Sequence, residues 1–547
     1  MKFEKYGGFA VKIGKLLPLL ILPFVSVTAC SSIFGDRNNV DYMYKKSQKF
    51  KSYKLLFKEA DMKKEMAAIE EALKKEDYEA MIEHYSELNY IFYLERQDYV
   101  YLTALFNGDL NENARAKKER LDEIDVEIEA WIKDFYTAVR DSKFKDKFYE
   151  GYTDEQINVI IDSYNPEASN LYGDYYKLSD DYELSFNDPL KNTDIELYEE
   201  KMIGKYVEIA EKLEEIAKAN GQEDPLQYVY DGYSHGYAVS DMSDYIRNSK
   251  RDFFNAISSV TVDVKGLEPR DVEVINDFNS YYFDKPNVQG MKIMEGVGKL
   301  MAPRYSKTFN SLFKTGYYFF SDNPNSLSTA YIDDYGFEPI AYFSRNYQDL
   351  LTVVHEFGHY YAFCSTPDAA PLPYDIYETH SQGNEFLVLA YLQKNWDFGW
   401  RKKGFDKFVQ ISNYNRFIDL AKMLQAVECE TYIFQNYKTK TVKEIHEDIN
   451  EISEEYVKYG VSPLYYLYTG SSPGYYSAYL TSLIAAMDLY TVAISDFDRA
   501  TSIYESIIDI KECKNVRQSY IDAGLIDYKD STQVRNLLNR FTTYING

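Results

Sequence analysis

Apolar residues recur at a helical period along most of the chain. The clearest runs are Met62–Leu73, Met81–Leu94 and Leu121–Val139, and glycine and proline are nearly absent between residues 53 and 143. Antiparallel helices are expected there. Residues 164–192 break the period with clusters of Asn, Pro, Ser, Gly and Asp, which reads as an excursion or linker. The period resumes over Leu197–Ala219 and stops at Asn220-Gly221, a C-cap pair. Tyr317-Tyr318-Phe319-Phe320 and Pro339-Ile340-Ala341-Tyr342-Phe343 are strand-like, separated by a polar loop containing Asp322-Asn323-Pro324-Asn325. Helical pattern returns after Asn346 and continues, with loops, to the C-terminus. Leu480–Ile494 is the most apolar later stretch, but Asp488 and several hydroxyls mark it as a core helix and not a membrane span. The expected fold is mainly α, with a small β-sheet next to the helix that starts near Asn346. The expected division is an N-terminal helical region over 51–220 and a second region over 221–547.

The first fifty residues follow other rules. Lys2, Lys5, Lys12 and Lys15 make a basic segment, and Leu17–Val27 is a short apolar run interrupted by Pro18 and Pro23. Such a run is too short to span a bilayer but suits a signal-peptide core. Val27-Thr28-Ala29-Cys30 resembles the bacterial lipobox. The resemblance implies a signal peptide over 1–29, cleavage before Cys30, and acyl chains on that cysteine. Two or more chains give stable anchoring. Residues 30–50 then form the lipidated cysteine and a polar tether, which implies a lipid-anchored protein at the outer face of the cell membrane.

Charge and cysteine content narrow the partners. The 547 residues carry a formal charge of −26. Residues 1–29 hold four lysines against Glu4, a contribution of +3, so the chain beyond them carries −29. That field repels phosphate backbones and excludes nucleic acid as a partner. The four cysteines show no CxxC spacing, so disulfides are not a structural principle. Tyrosine is abundant, at 55 residues, which suits both a helical core with half-buried rings and a peptide-binding groove.

The chemistry concentrates in His355-Glu356-Phe357-Gly358-His359. Asn346 to Phe363 reads as one helix, capped by Asn346, with Asp349 in the first turn. His355 and His359 are four apart and project from one face, close enough for one metal ion. Glu356 lies one position further round, within reach of an activated water. Gly358 permits close approach by another element, and Leu350, Leu351, Val353, Val354 and Phe357 predict burial. A tetrahedral catalytic zinc needs a third protein ligand and an open position. Downstream, after Pro371-Leu372-Pro373, Asp375 can cap a helix that carries Glu378 and Glu385. Those two share a face, seven residues apart. Glu378 is the expected third ligand, with Glu385 orienting one of the histidines. His380, on another face, is the competing ligand.

HEFGH followed by Glu-x-x-Ser-Gln-x-x-Glu resembles the M3 peptidases, the thimet oligopeptidase and oligoendopeptidase F group. Glu378-Thr379-His380-Ser381 is most like the oligoendopeptidase F branch. Gly474-Tyr475-Tyr476-Ser477-Ala478-Tyr479-Leu480 is similar to the family's tyrosine-rich segment near the C-terminus, with Tyr476 and Tyr479 matching the pair that faces the substrate carbonyl. The resemblance implies a helical clamshell with a deep channel that admits oligopeptides and excludes folded proteins. It also implies one zinc per chain, Glu356 as catalytic base, and tyrosine hydroxyls on the oxyanion. A monomer is expected. Three departures stand out. The loop before Glu378 is short, Ala362 replaces a frequent histidine, and no histidine follows His446, so none precedes the tyrosines. Tyr468 or Tyr475 is then a further candidate for the oxyanion. The strand near Tyr342 is a candidate to pair with an extended substrate. A peptide-binding lipoprotein without catalysis and a carboxypeptidase on a related helical zinc scaffold are the alternative functions.

Overall fold

The computed structural model describes residues 54–109, 112–162, 164, 166–262, 267–272, 296–315, 318–320, 329–331, 340–343, 350–366, 372–395 and 402–546. The signal peptide, Cys30 and the tether lie outside the described residues, as do Tyr317, Pro339 and the capping residues Asn346 and Asp349.

The protein is mainly helical. Helices of thirteen residues or more among the described residues are α1 (Glu59–Lys74), α2 (Tyr78–Asp109), α3 (Glu112–Arg140), α4 (Pro166–Ser185), α5 (Ile195–Ala219), α6 (Val239–Ser259), α7 (Pro303–Thr315), α8 (Leu350–Ser365), α9 (Tyr374–Lys394), α10 (Lys402–Asn436), α11 (Val442–Val457), α12 (Tyr475–Ser495) and α13 (Ser531–Asn546). Among the described residues, two hydrophobic cores form. One gathers Met62, Leu88, Leu121 and Phe135 from the N-terminal helices, with Tyr164 from the connection that follows them. The other, much larger, runs from Tyr172 to Ile545 and encloses α8, α9 and α12.

Helix α5 ends where its sequence says. Asn220 caps it, Gly221 takes φ +78°, and Gln222 N–H returns 2.8 Å to the Ala217 carbonyl. The segment expected as a linker over 164–192 is instead largely α4. Its polar residues lower helix propensity, but Tyr182 is fully buried and donates 2.6 Å to the Leu467 carbonyl. Tertiary burial overrides a weak local preference.

Three short strands, Tyr318–Phe320 (β1), Thr329–Tyr331 (β2) and Ile340–Phe343 (β3), form a sheet of order β1-β3-β2. β1 is parallel to β3 and β2 antiparallel to it. Tyr342 pairs with Phe319 on one side and Thr329 on the other. The strand near Tyr342 therefore cannot take a substrate backbone, because both its edges are used. β2, within the stretch expected to be loop, lies on the sheet's other rim and against α8.

Helix α9 is buried from Asp375 to Leu392 on every side, and its main partner is α12. α12 is more apolar than α9 and is also mostly buried. Length and composition would let it cross a membrane, but burial explains its apolarity as that of a core helix.

Candidate metal centre

Helices α8 and α9 cross at a glycine. A Cβ on Gly358 would lie 2.4 Å from the His380 carbonyl oxygen and 2.7 Å from Ser381 Cα. Only glycine permits this approach. A buried polar bridge sets the register of the pair. Asn384 donates 2.8 Å to the Val354 carbonyl on α8 and accepts 2.8 Å from the Tyr305 hydroxyl on α7. Val353, Val354, Phe357, Tyr360 and Tyr361 bury the remainder of α8.

This crossing brings His355, His359 and Glu378 together. One donor atom from each lies within 4.8 Å of the others. Glu378 Oε2 is 3.5 Å from His355 Nε2 and 3.7 Å from His359 Nε2. Tetrahedral zinc with bonds of ~2.0–2.1 Å separates its ligands by about 3.3 Å, so the spacing fits a single ion. The tautomer also fits. Glu385 Oε1 lies 2.8 Å from His355 Nδ1, which holds the ring proton there and leaves Nε2 as the donor. Arg416 donates to Glu385 Oε2, and Ser381 Oγ donates 3.0 Å to Glu378 Oε2. Tyr475 Oη donates to Glu378 Oε1.

The electrostatics describe a site built for positive charge. Burial opposes charge on His355, but Glu378 and Glu385 outweigh it and hold the imidazole well above its usual pKa. Burial pushes His359 down to about 4, and the neighbouring His355 charge adds to this. Burial works against the Glu378 carboxylate too, yet His359, His355 and Tyr475 hold it down to about 2. Without metal the extra proton belongs to His355, held between two carboxylates, while His359 is neutral and Glu378 ionised. A divalent cation at the same point would displace that proton.

His380 does not compete. Its Nε2 lies 3.3 Å from the Ile507 carbonyl on another face of α9, and burial pushes it down to about 3. Asp375 is not the cap of α9, which starts after Pro373. Its carboxylate is buried and bonded instead to His235 (2.6 Å), Tyr237 (3.0 Å) and Thr481. Glu356 is 4% exposed, and its charge is felt at both His355 and Tyr479. Tyr479 stacks 6.5 Å from the His355 ring and Tyr476 packs beside it. Tyr468 is 40% exposed and stacked on Phe186, with Tyr465 touching both it and Tyr476, and its hydroxyl adds to the upward push of burial on Tyr476. Burial raises the hydroxyls of Tyr475, Tyr476 and Tyr479, so all three remain protonated donors.

Arg416, His235 and the Tyr475–Glu378 bond were not predicted. Ser381 and Tyr475 stood inside the quoted motifs, but Arg416 and His235 reach the site across 31 and 140 residues with no local signal. Glu385→Gln is expected to weaken metal binding about 10–100-fold by removing the negative charge that faces His355 Nδ1–H. Competition with a chromogenic chelator measures it, and unchanged affinity would show that Glu385 does not orient the ligand.

No protein-family model and no curated protein sequence matches the chain. Solved structures do. A protein provisionally named oligoendopeptidase F aligns with TM-score 0.64 at 15% identity, over 91% of this chain and 98% of its own. PZ peptidase A, solved with an inhibitor, aligns with TM-score 0.63 at 14% identity, over 91% and 99%. The chain has the fold of the oligoendopeptidase F group. Trypanosoma cruzi metallocarboxypeptidase 1 is more distant, with TM-score 0.53 and 12% identity over 82% of this chain and 97% of that one.

Proposed function

We propose that this protein is a zinc-dependent peptidase that hydrolyses internal peptide bonds of oligopeptides, anchored through lipid on Cys30 at the outer face of the cell membrane. The observation that carries the reading is the convergence of His355, His359 and Glu378, with His355 oriented by Glu385, in a fold shared with peptidases. When bound, one zinc ion supplies Lewis acidity to the scissile carbonyl and the attacking water. Glu356 takes the water's proton and passes it to the leaving amine. Tyr476 and Tyr479 donate to the tetrahedral oxyanion, while Tyr475, bonded to Glu378, fixes the ligand. A channel that admits an extended oligopeptide and excludes a folded protein belongs to this reading, as does a monomeric chain.

The likeness to a metallocarboxypeptidase favours a second reading, removal of C-terminal residues. Peptides blocked at both ends separate the two. Internal cleavage that requires divalent metal is expected. Products only from free C-termini support the carboxypeptidase. Absence of turnover by the zinc-loaded protein sinks both and leaves a peptide-binding lipoprotein.

A further inference from the structure

The tyrosine helix α12 begins at Gly474, and that peptide is gripped on both sides. Gly474 takes φ +83°, and a Cβ there would meet Val229 at 2.8 Å and Tyr230 and Tyr233 at 3.3 Å. Its N–H donates 2.8 Å to Glu430 Oε1 on α10. Its carbonyl oxygen lies 3.1 Å from His235 Nε2, whose Nδ1 is held by Asp375 on α9. Resting on the peptidase reading above, we propose that Glu430 is a positioning residue. With His235 it clamps the Gly474 peptide and so sets Tyr475, Tyr476 and Tyr479 against the metal ligands.

Three observations support this. Glu430 is completely buried, and its Oε2 has no hydrogen-bond partner among the described residues. An acid buried with one oxygen unpartnered works against stability, so a role other than packing explains its presence. Second, a buried N–H at a helix N-terminus needs an acceptor, and Glu430 supplies it. Tyr206 donates 3.2 Å to the same Oε1 and is itself held by Thr469, which fixes the acceptor in place. Burial pushes the Glu430 carboxyl up to about 8, against the bonds from Gly474 and Tyr206. The group is therefore neutral at pH 7, and its Oε1 is an acceptor of the kind a glutamine also offers. Third, Tyr475, Tyr476 and Tyr479 lie in the first turns of one continuous, largely buried helix, so a shift at Gly474 moves all three hydroxyls together. Tyr475 then leaves Glu378, and Tyr479 leaves the neighbourhood of His355.

The test compares Glu430→Leu and Glu430→Gln in the full chain by hydrogen exchange over residues 472–480 and by peptide hydrolysis. In the Leu variant, exchange of this segment is expected to rise at least about tenfold. kcat falls about 10–100-fold with KM nearly unchanged, because oxyanion donors act in the transition state. The Gln variant keeps both near wild type. Native exchange or native kcat in the Leu variant overturns the clamp, and so does a Gln variant as impaired as Leu. If Leu prevents folding, Glu430→Met fills the same space more adaptably. If the wild type cleaves no peptide, the peptidase reading fails, and exchange in the Leu and Gln variants alone decides the clamp.

Discussion

Glu356→Gln is expected to reduce peptide cleavage about 10²–10⁴-fold while leaving zinc content unchanged. The substitution keeps shape and volume at a position that is 4% exposed, so packing around α8 is preserved. It leaves the three donors His355, His359 and Glu378 in place, with Glu385 and Ser381 still bonded to them. What disappears is a group able to accept a proton. It also removes the negative charge felt by His355 and Tyr479, and that charge belongs to the electrostatic environment of the reacting atoms. Metal analysis and hydrolysis of a quenched peptide library on the same preparation separate the effects. Retained zinc with lost cleavage assigns the base to Glu356. Undiminished cleavage removes it from the mechanism, and joint loss of zinc and cleavage reassigns it to metal binding.

The site was more legible than its support. His355 and His359 share a face by helical period alone, and Glu378 with Glu385 follow from a spacing of seven. These are local rules, and the structure brings the four together as they require. The role of Gly358 was equally readable, because a glycine inside a strongly apolar helix has few reasons other than close approach. Contacts that depend on tertiary assembly were not readable. Arg416 arrives on α10 and His235 from the turn before α6, and neither position carries a periodic or motif signal. Asp375 looked like a helix cap because acids before helices usually are, but a buried histidine claimed its carboxylate. The 164–192 segment shows the same limit at the level of the fold. Its composition favours turns, but the burial of Tyr172 and Tyr182 fixes it as helix. Strand β2 was missed for a related reason, since three residues are too few to display a period.

Gly358→Ala is expected to destabilise the protein and weaken zinc binding together, whereas Gly204→Ala stabilises it. Both glycines sit inside helices, where alanine alone improves propensity by about 1 kcal/mol. At Gly204, on α5, a Cβ meets nothing closer than Val442 at 4.0 Å, so the gain is realised. At Gly358 the new methyl lies 2.4 Å from a carbonyl oxygen and 2.7 Å from an α-carbon. Backbone atoms cannot rotate aside, so α8 and α9 must separate by roughly 1 Å to restore van der Waals distance. Overpacking of this kind costs about 1–3 kcal/mol, which exceeds the propensity gain. The same displacement pulls His355 and His359, on one helix, away from Glu378, on the other. Metal ligands tolerate only about 0.2 Å of error, so affinity falls by an amount comparable to losing an orienting partner, about 10–100-fold. It also stretches the Asn384 bond to the Val354 carbonyl, which now measures 2.8 Å. Thermal unfolding without metal and zinc titration on both variants test the argument. An alanine at 358 that raises Tm as the one at 204 does, with native zinc affinity, would falsify the view that this contact sets the geometry of the metal centre.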